Sequence, residues 1–158
     1  MGMNNSRNFD LLTLGQVLLR LSPPDNERLS RGDTFVKQVG GAELNVAVGA
    51  ALLGLHTGVI SKLPAHDIGS FMKGKIRSFG VSDDFFMYDQ SSSARVGIYY
   101  YENGAYPRKP KVIYDRNNSS FFSLNIDEIP EEVYTASKCF HTTGITLALN
   151  EDIRETTI

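Results

Sequence analysis

Cysteine is close to missing from these 158 residues, with Cys139 standing alone. A single thiol excludes an internal disulfide framework and fits a reducing compartment. Beside Ala136 and Phe140 it reads as a buried, inert group rather than a nucleophile. Neither sign of charge is in excess: 16 Lys and Arg face 18 Asp and Glu, for a formal net charge of -2. That balance gives no electrostatic case for nucleic acid or for an anionic membrane as partner. No apolar run approaches the ~20 residues of a membrane-spanning helix, and no signal-peptide pattern precedes the first apolar stretch. Met1 to Ser6 formally matches an N-myristoylation pattern, but reads better as a polar tail with a second start at Met3. The expected location is the cytoplasm. The spacing of His and carboxylates yields no metal-ligand set. Both common nucleotide loops are missing too: G-x-x-x-x-G-K-S/T does not occur, and no G-x-G-x-x-G lies between a strand and a helix. Internal repeats, low-complexity tracts and linkers are likewise lacking.

What is present is an ordinary globular composition, 41% hydrophobic and 22% charged, at a length that favours one domain. The chain is organised around Gly40-Gly41-Ala42-Glu43-Leu44-Asn45-Val46-Ala47-Val48-Gly49. Leu44, Ala47, Val48, Ala51, Leu52 and Leu55 recur at helical spacing, and Gly54 offers a stop. Paired glycines serve where backbone turns sharply or approaches a ligand, because neither carries a Cβ. The helix start behind them presents unpaired N–H groups and a positive dipole end, suited to an anionic or hydroxyl-rich ligand. On the glycines alone, a tight loop leading into a core helix is the favoured explanation of the stretch.

Before it, Phe9 to Gly15 reads as a short buried strand. Val17 to Ser22 and Thr34 to Val39 read as extended segments that can pair. After it, Thr57 to Leu63 is a second core strand. Asp67 is the expected cap of a helix through Ile68, Phe71, Met72, Ile76 and Phe79, stopped by Gly80, and Val81 to Met87 is a third strand. This rhythm predicts parallel βαβ units. It then breaks: Arg95 to Tyr101 and Lys111 to Arg116 form a hairpin around Asn103-Gly104, a flap outside the main sheet. Short helical pieces between Ile126 and Ser137 (with Pro130 in a first turn), a strand over Lys138 to Gly144 and a helix opening at Asn150 complete the chain.

With these segments in place, the chain resembles the PfkB (ribokinase-like) family of carbohydrate kinases from Phe9 to its last residue. The carriers are Gly15-Gln16 after the first strand, Gly40 to Ala47 with Leu53-Gly54, and Lys62-Leu63-Pro64-Ala65-His66-Asp67-Ile68-Gly69. The Gly-Gly-Ala-Glu-Leu-Asn-Val-Ala form and Val112 to Arg116 look most like 2-keto-3-deoxygluconate kinases. Arg20 stands where ribose and nucleoside kinases usually place a sugar-binding aspartate. The resemblance implies an α/β, ribokinase-like fold: a mostly parallel sheet flanked by helices, with a small β lid formed near residues 16–39 and 94–117 that often makes a homodimer contact. It implies ATP and Mg2+ as cofactors of the complete enzyme and a small sugar acid as substrate. The family's catalytic aspartate lies in a Gly-Ala-Gly-Asp motif, which does not occur here. Residues 1–158 are therefore expected to be the N-terminal part of such a domain, truncated before its nucleotide-binding and catalytic part, and inactive alone.

The resemblance further implies that Gly40 and Gly41 contact the substrate and that Asn45 hydrogen-bonds the sugar. A planar carboxylate favours the forked donors of arginine. Arg116 and Tyr114, two apart on one strand, share a face, and Tyr99 on the opposite arm can add a hydroxyl or an apolar wall. Tyr99, Tyr100 and Tyr101 can instead pack a lid or dimer surface. Glu43 can orient Asn45 or simply complement the helix dipole. Arg95 and Arg108 read as solvated loop charges, His56 and His66 as loop residues and His141 as a strand end. No catalytic residue is assigned. The readings left open are phosphorylation of 2-keto-3-deoxygluconate, a fructokinase or other PfkB sugar kinase, a non-catalytic sugar-acid-binding or dimerisation module, and an α/β domain whose glycine turn is structural only.

Overall fold

A computed structural model describes residues 8–158; the myristoylation pattern at Met1 to Ser6 lies outside them. The main sheet runs in the order β5 (Val81–Ser82), β4 (Thr57–Pro64), β1 (Phe9–Leu14), β9 (Ser137–His141), with β6 (Phe86–Asp89) also pairing β4. Every pairing in it is parallel. Seven of the eight residues of β4 are buried, as expected of a parallel strand covered on both faces. Leu44, Ala47, Val59, Leu63, Met72, Ile76 and Val81 pack together with α1 (Ala42–Leu52) and α2 (Asp67–Ser78). A second cluster joins Phe9, Leu12, Leu14 and Ile60 to Phe121, Leu124, Val133 and Ile153. These last four come from the 3-10 turn Ser120–Ser123, the residue after it, α3 (Val133–Ala136) and α5 (Glu151–Thr157).

The second sheet has the order β3 (Val36–Gly40), β2 (Leu18–Ser22), β7 (Gly97–Glu102), β8 (Lys111–Asp115). β2 pairs antiparallel with β3, as the sequence suggests, and β7 and β8 form the expected hairpin, with Tyr99 directly opposite Tyr114. β2 and β7 run parallel and join the two halves.

Several local expectations are met by chemistry that can be named. Gly54 and Gly80 stand at φ +89° and +80° just past α1 and α2, where a left-handed residue ends a helix at low cost. Asn150 caps α5 by accepting from the Ile153 N–H at 2.7 Å. Other details differ. The cap of α2 is His66, whose Nδ1 accepts from the Ile68 N–H, while Asp67 is the first helical residue. The apolar stripe of α1 stops early: Leu52 is 76% exposed and Leu55 46%, because the helix ends at Leu52 before its next turn can reach the sheet. The expected strand over Val81 to Met87 is split into β5 and β6 by a turn in which Ser82 Oγ accepts from the Asp84 N–H. Cys139 is exposed, not buried, since among the described residues β9 is the last strand on its side of the sheet.

Candidate functional site

Where the two sheets meet, a cavity of about 190 Å³ is lined by Gln16, Gly41, Glu43, Asn45, Tyr99, Tyr114, Arg116 and Ile145, among others. Five of the six residues singled out from the sequence (Gly41, Asn45, Tyr99, Tyr114 and Arg116) are thus brought together. The volume suits a small metabolite rather than a drug-sized ligand of ~300–1,000 Å³.

The sixth, Gly40, acts from beside the cavity. A Cβ on Gly40 would lie 2.4 Å from the Tyr99 hydroxyl oxygen, so its bare backbone makes the space that the phenol occupies. Gly41 is required for a different reason: its φ is +149°, and a Cβ there would sit 2.6 Å from the Gln16 carbonyl oxygen. It is the residue at which β3 turns into α1, with its own carbonyl accepting from the Asn45 N–H at 2.9 Å. The glycine pair therefore serves tight backbone approach at one position and side-chain room at the other.

Tyr99 and Tyr114 face each other across the hairpin with ring centroids 6.0 Å apart. Burial pushes the Tyr99 phenol above its ordinary pKa, with Arg20 opposing and Tyr114 and Tyr101 adding to the rise, so Tyr99 is a neutral O–H donor or acceptor at neutral pH. Arg116 follows β8 directly. Its guanidinium lies 5.8 Å from the Tyr114 ring centroid, and its Nε donates to Gln16 Oε1 at 2.7 Å. Burial lowers its pKa, opposed by the nearby Tyr114 and Glu43, yet a guanidinium stays charged at any working pH.

Glu43 does something no local pattern announces. It is buried at 2% exposure. Its Oε1 accepts from Thr143 Oγ1 at 2.6 Å, Thr146 Oγ1 at 2.7 Å and the Thr143 N–H at 3.2 Å. Thr146 belongs to α4 (Gly144–Leu147), and Thr143 caps that helix. A Cβ on Gly15 would meet the carboxylate at 2.2 Å, so the glycine ending β1 makes its room. Glu43 thus fastens the start of α1 to a segment 100 residues later. Among the described residues it is the only carboxylate lining the cavity, and the hydrogen bonds to Oε1 make it an anchor for the start of α1.

The remaining sequence candidates fall outside. Arg20 donates to Ser22 Oγ and lies 4.4 Å from the Tyr101 ring centroid. Arg95 pairs with Asp115 on the surface. Arg108 corrects the expectation of a solvated charge: it bonds Glu102 at 2.9 Å and the carbonyls of Asn26 and Asn103, folding the hairpin tip onto the loop before β3. Gln16, Glu43 and Ile145 were not singled out as ligand-facing. What accompanies the first two is a glycine whose missing Cβ leaves room for the side chain, Gly97 for Gln16 and Gly15 for Glu43. Among the described residues no group of three or more His, Cys, Asp or Glu is gathered to hold a metal ion, and no helix is long and apolar enough to cross a membrane.

A profile described as pfkB family carbohydrate kinase matches residues 8–158. The chain belongs to that family. This pfkB chain is 38% identical over 148 residues to a 2-dehydro-3-deoxygalactonokinase of Haloferax volcanii, covering 94% of this chain and 46% of that protein. It is 31% identical over 144 residues to 5-dehydro-2-deoxygluconokinase 1 of Bacillus cereus, covering 90% and 43%. Among solved structures, the 2-dehydro-3-deoxygluconokinase of Thermotoga maritima superposes with a TM-score of 0.88 at 35% identity, over 94% of this chain and 45% of that one. The pfkB chain spans less than half the length of these relatives. Fructokinase of Xylella fastidiosa, at 20% identity and a TM-score of 0.78, shares the fold.

Proposed function

We propose that residues 8–158 form the substrate-binding and lid part of an ATP-dependent kinase for a keto-deoxy sugar acid, with 2-keto-3-deoxygluconate as the first candidate. One observation carries the reading: a half-buried guanidinium, Arg116, lines the same small cavity as two phenols, an amide and the start of α1. Charge-assisted bonds to a carboxylate need such a fork, and the hydroxyls of a sugar acid need the mixed donors and acceptors of Asn45, Tyr99 and Tyr114. The names of the relatives support the substrate class, since each combines a keto group with a deoxy sugar acid.

In this reading Arg116 grips the carboxylate, Asn45 and the tyrosine hydroxyls hold the sugar, and Gly40 and Gly41 let the chain approach it. The general base and the site for ATP and Mg2+ are assigned to the rest of a complete enzyme, because this chain has neither a nucleotide loop nor a Gly-Ala-Gly-Asp motif. The lid is residues 16–39 and 94–117. Its outer strands expose Val36, Val112 and Ile113, which favours a second copy as the lid's partner. A non-catalytic sugar-acid-binding module is the second reading, favoured by the engagement of Glu43.

Binding followed by NMR tests the assignment. The chain should bind 2-keto-3-deoxygluconate and leave fructose weakly bound, without ATP-dependent phosphorylation of either. Arg116→Ala should lower affinity for the acid about tenfold to hundredfold, the loss of a bond worth roughly 1.5–3 kcal/mol, and Arg116→Lys should recover part of it. Equal losses for acid and neutral sugar would make Arg116 structural.

A further inference from the structure

The Arg116 guanidinium does not sit in its cavity unguided. Gln16 is buried at 3% exposure and its side-chain amide bridges three groups. Oε1 accepts from Arg116 Nε at 2.7 Å, while Nε2 donates to Ser119 Oγ at 2.6 Å and approaches the Arg116 carbonyl oxygen at 3.4 Å. The orientation of this amide is fixed by chemistry. An arginine Nε can only donate and a carbonyl can only accept, so both ends of the amide demand the same assignment. Room for it comes from Gly97, where a Cβ would lie 2.8 Å from Gln16 Nε2 and 2.6 Å from a Leu18 methyl.

This geometry divides the guanidinium in two. Its Nε–H is spent on Gln16, which closes the side-on approach through Nε and one terminal nitrogen. Among the described residues, no protein acceptor meets either terminal nitrogen. The edge of the fork bearing Nη1 and Nη2 therefore remains for a planar anion. We infer that Gln16, held by Ser119, is a positioning residue that presents the end of the Arg116 fork to the carboxylate of a sugar acid and so sets the preference for acids over neutral sugars. The inference rests on the reading of Arg116 as the carboxylate receptor. Gln16 acts through Arg116, and its effect should vanish when the guanidinium is gone.

A double-mutant cycle on the 158-residue chain tests this, with binding of 2-keto-3-deoxygluconate, gluconate and fructose followed by NMR and thermal melts as the folding control. Gln16→Met keeps the length and removes both polar ends. It should weaken both acids roughly tenfold, the scale of one charge-assisted bond, and leave fructose unchanged. In an Arg116→Ala background it should cost nothing further. Ser119→Ala, a smaller change that frees the amide, should weaken the acids about threefold with the same selectivity. It serves as the test if Gln16→Met does not fold. Acids bound as tightly by Gln16→Met and Ser119→Ala as by the unaltered chain, or losses that persist in the Arg116→Ala background, overturn the positioning role and leave the carboxylate reading standing. Acid binding indifferent to Arg116→Ala, or no acid binding by the unaltered chain at about 10 mM, a weakness beyond ~3 kcal/mol of affinity, overturns both.

Discussion

The central strand of one sheet and the outer strand of the other are built on opposite terms. β4 of the main sheet is buried along nearly its whole length, whereas all five residues of β8 in the second sheet are exposed. The first is a scaffold whose residues are chosen for volume and shape. β8 is a surface strand whose residues can be chosen for what they touch, while β2 of the same sheet buries Leu18 and Leu19 in the core. The cavity lies at the seam of the two sheets and draws differently on each. The scaffold side supplies backbone and an anchor, through Gly41, the start of α1 and Glu43. The exposed side supplies the phenols and the guanidinium. Cavity-lining side chains on and just after these strands can thus change with little consequence for the core.

Stability measurements should separate the two most sharply. Leu12→Ala or Ile60→Ala, both fully buried, should cost about 2–5 kcal/mol in denaturant unfolding, against about 0.5 kcal/mol or less for Val112→Ala on β8. Comparable losses would erase the distinction. The seam itself comes next. Glu43→Ala strands two threonine hydroxyls and a backbone N–H, and should cost roughly 1.5–3 kcal/mol. Glu43→Gln, which still offers an acceptor, should recover part of that. Hydrogen exchange at Thr143 and Thr146 is the local readout.

A subtler probe is Gly40→Ala, whose methyl would drive the Tyr99 hydroxyl from its place at a cost of about 1–3 kcal/mol. Tyr99→Phe should relieve most of that strain in the double variant, and failure to do so would mean the glycine answers to the backbone alone. The smallest effect concerns pH. The Tyr99 pKa is raised in the folded chain, so its stabilising contribution is full below the ordinary tyrosine value of about 10 and is lost as pH rises through the folded value. The alkaline limb of a melting-temperature profile should flatten slightly in Tyr99→Phe, and an unchanged limb would contradict the shift.

How much of this could be read from the chain follows the range of the interactions. Helix stops at Gly54 and Gly80, the period-two strands and the hairpin that sets Tyr99 and Tyr114 on opposing arms are local or nearly so, and all were legible. Arg116 and Tyr114 fell on one face for the same reason. Cys139 defeated the reading because the exposure of a strand depends on its place in the sheet, not on its neighbours in sequence. Leu52 and Leu55 defeated it because periodicity says which side a helix presents but not where the partner surface ends. Gln16 and Glu43 were invisible as contacts, each bonded to residues about 100 positions away. Their glycine companions Gly97 and Gly15 are intelligible once the pairs are known.

Those long spans set a timetable for the molecule's birth. Arg116 is made 100 residues after Gln16, and Thr143 the same distance after Glu43. At synthesis rates of about 5–20 residues per second, each waits roughly 5–20 s on the ribosome for its partner. During that interval the buried carboxylate of Glu43 and the amide of Gln16 have only water to bond, and β1 has no β9 beside it. The helix start at Gly41 can form early, but the cavity behind it cannot. The cavity closes only once Arg116, Thr143 and Thr146 have been made.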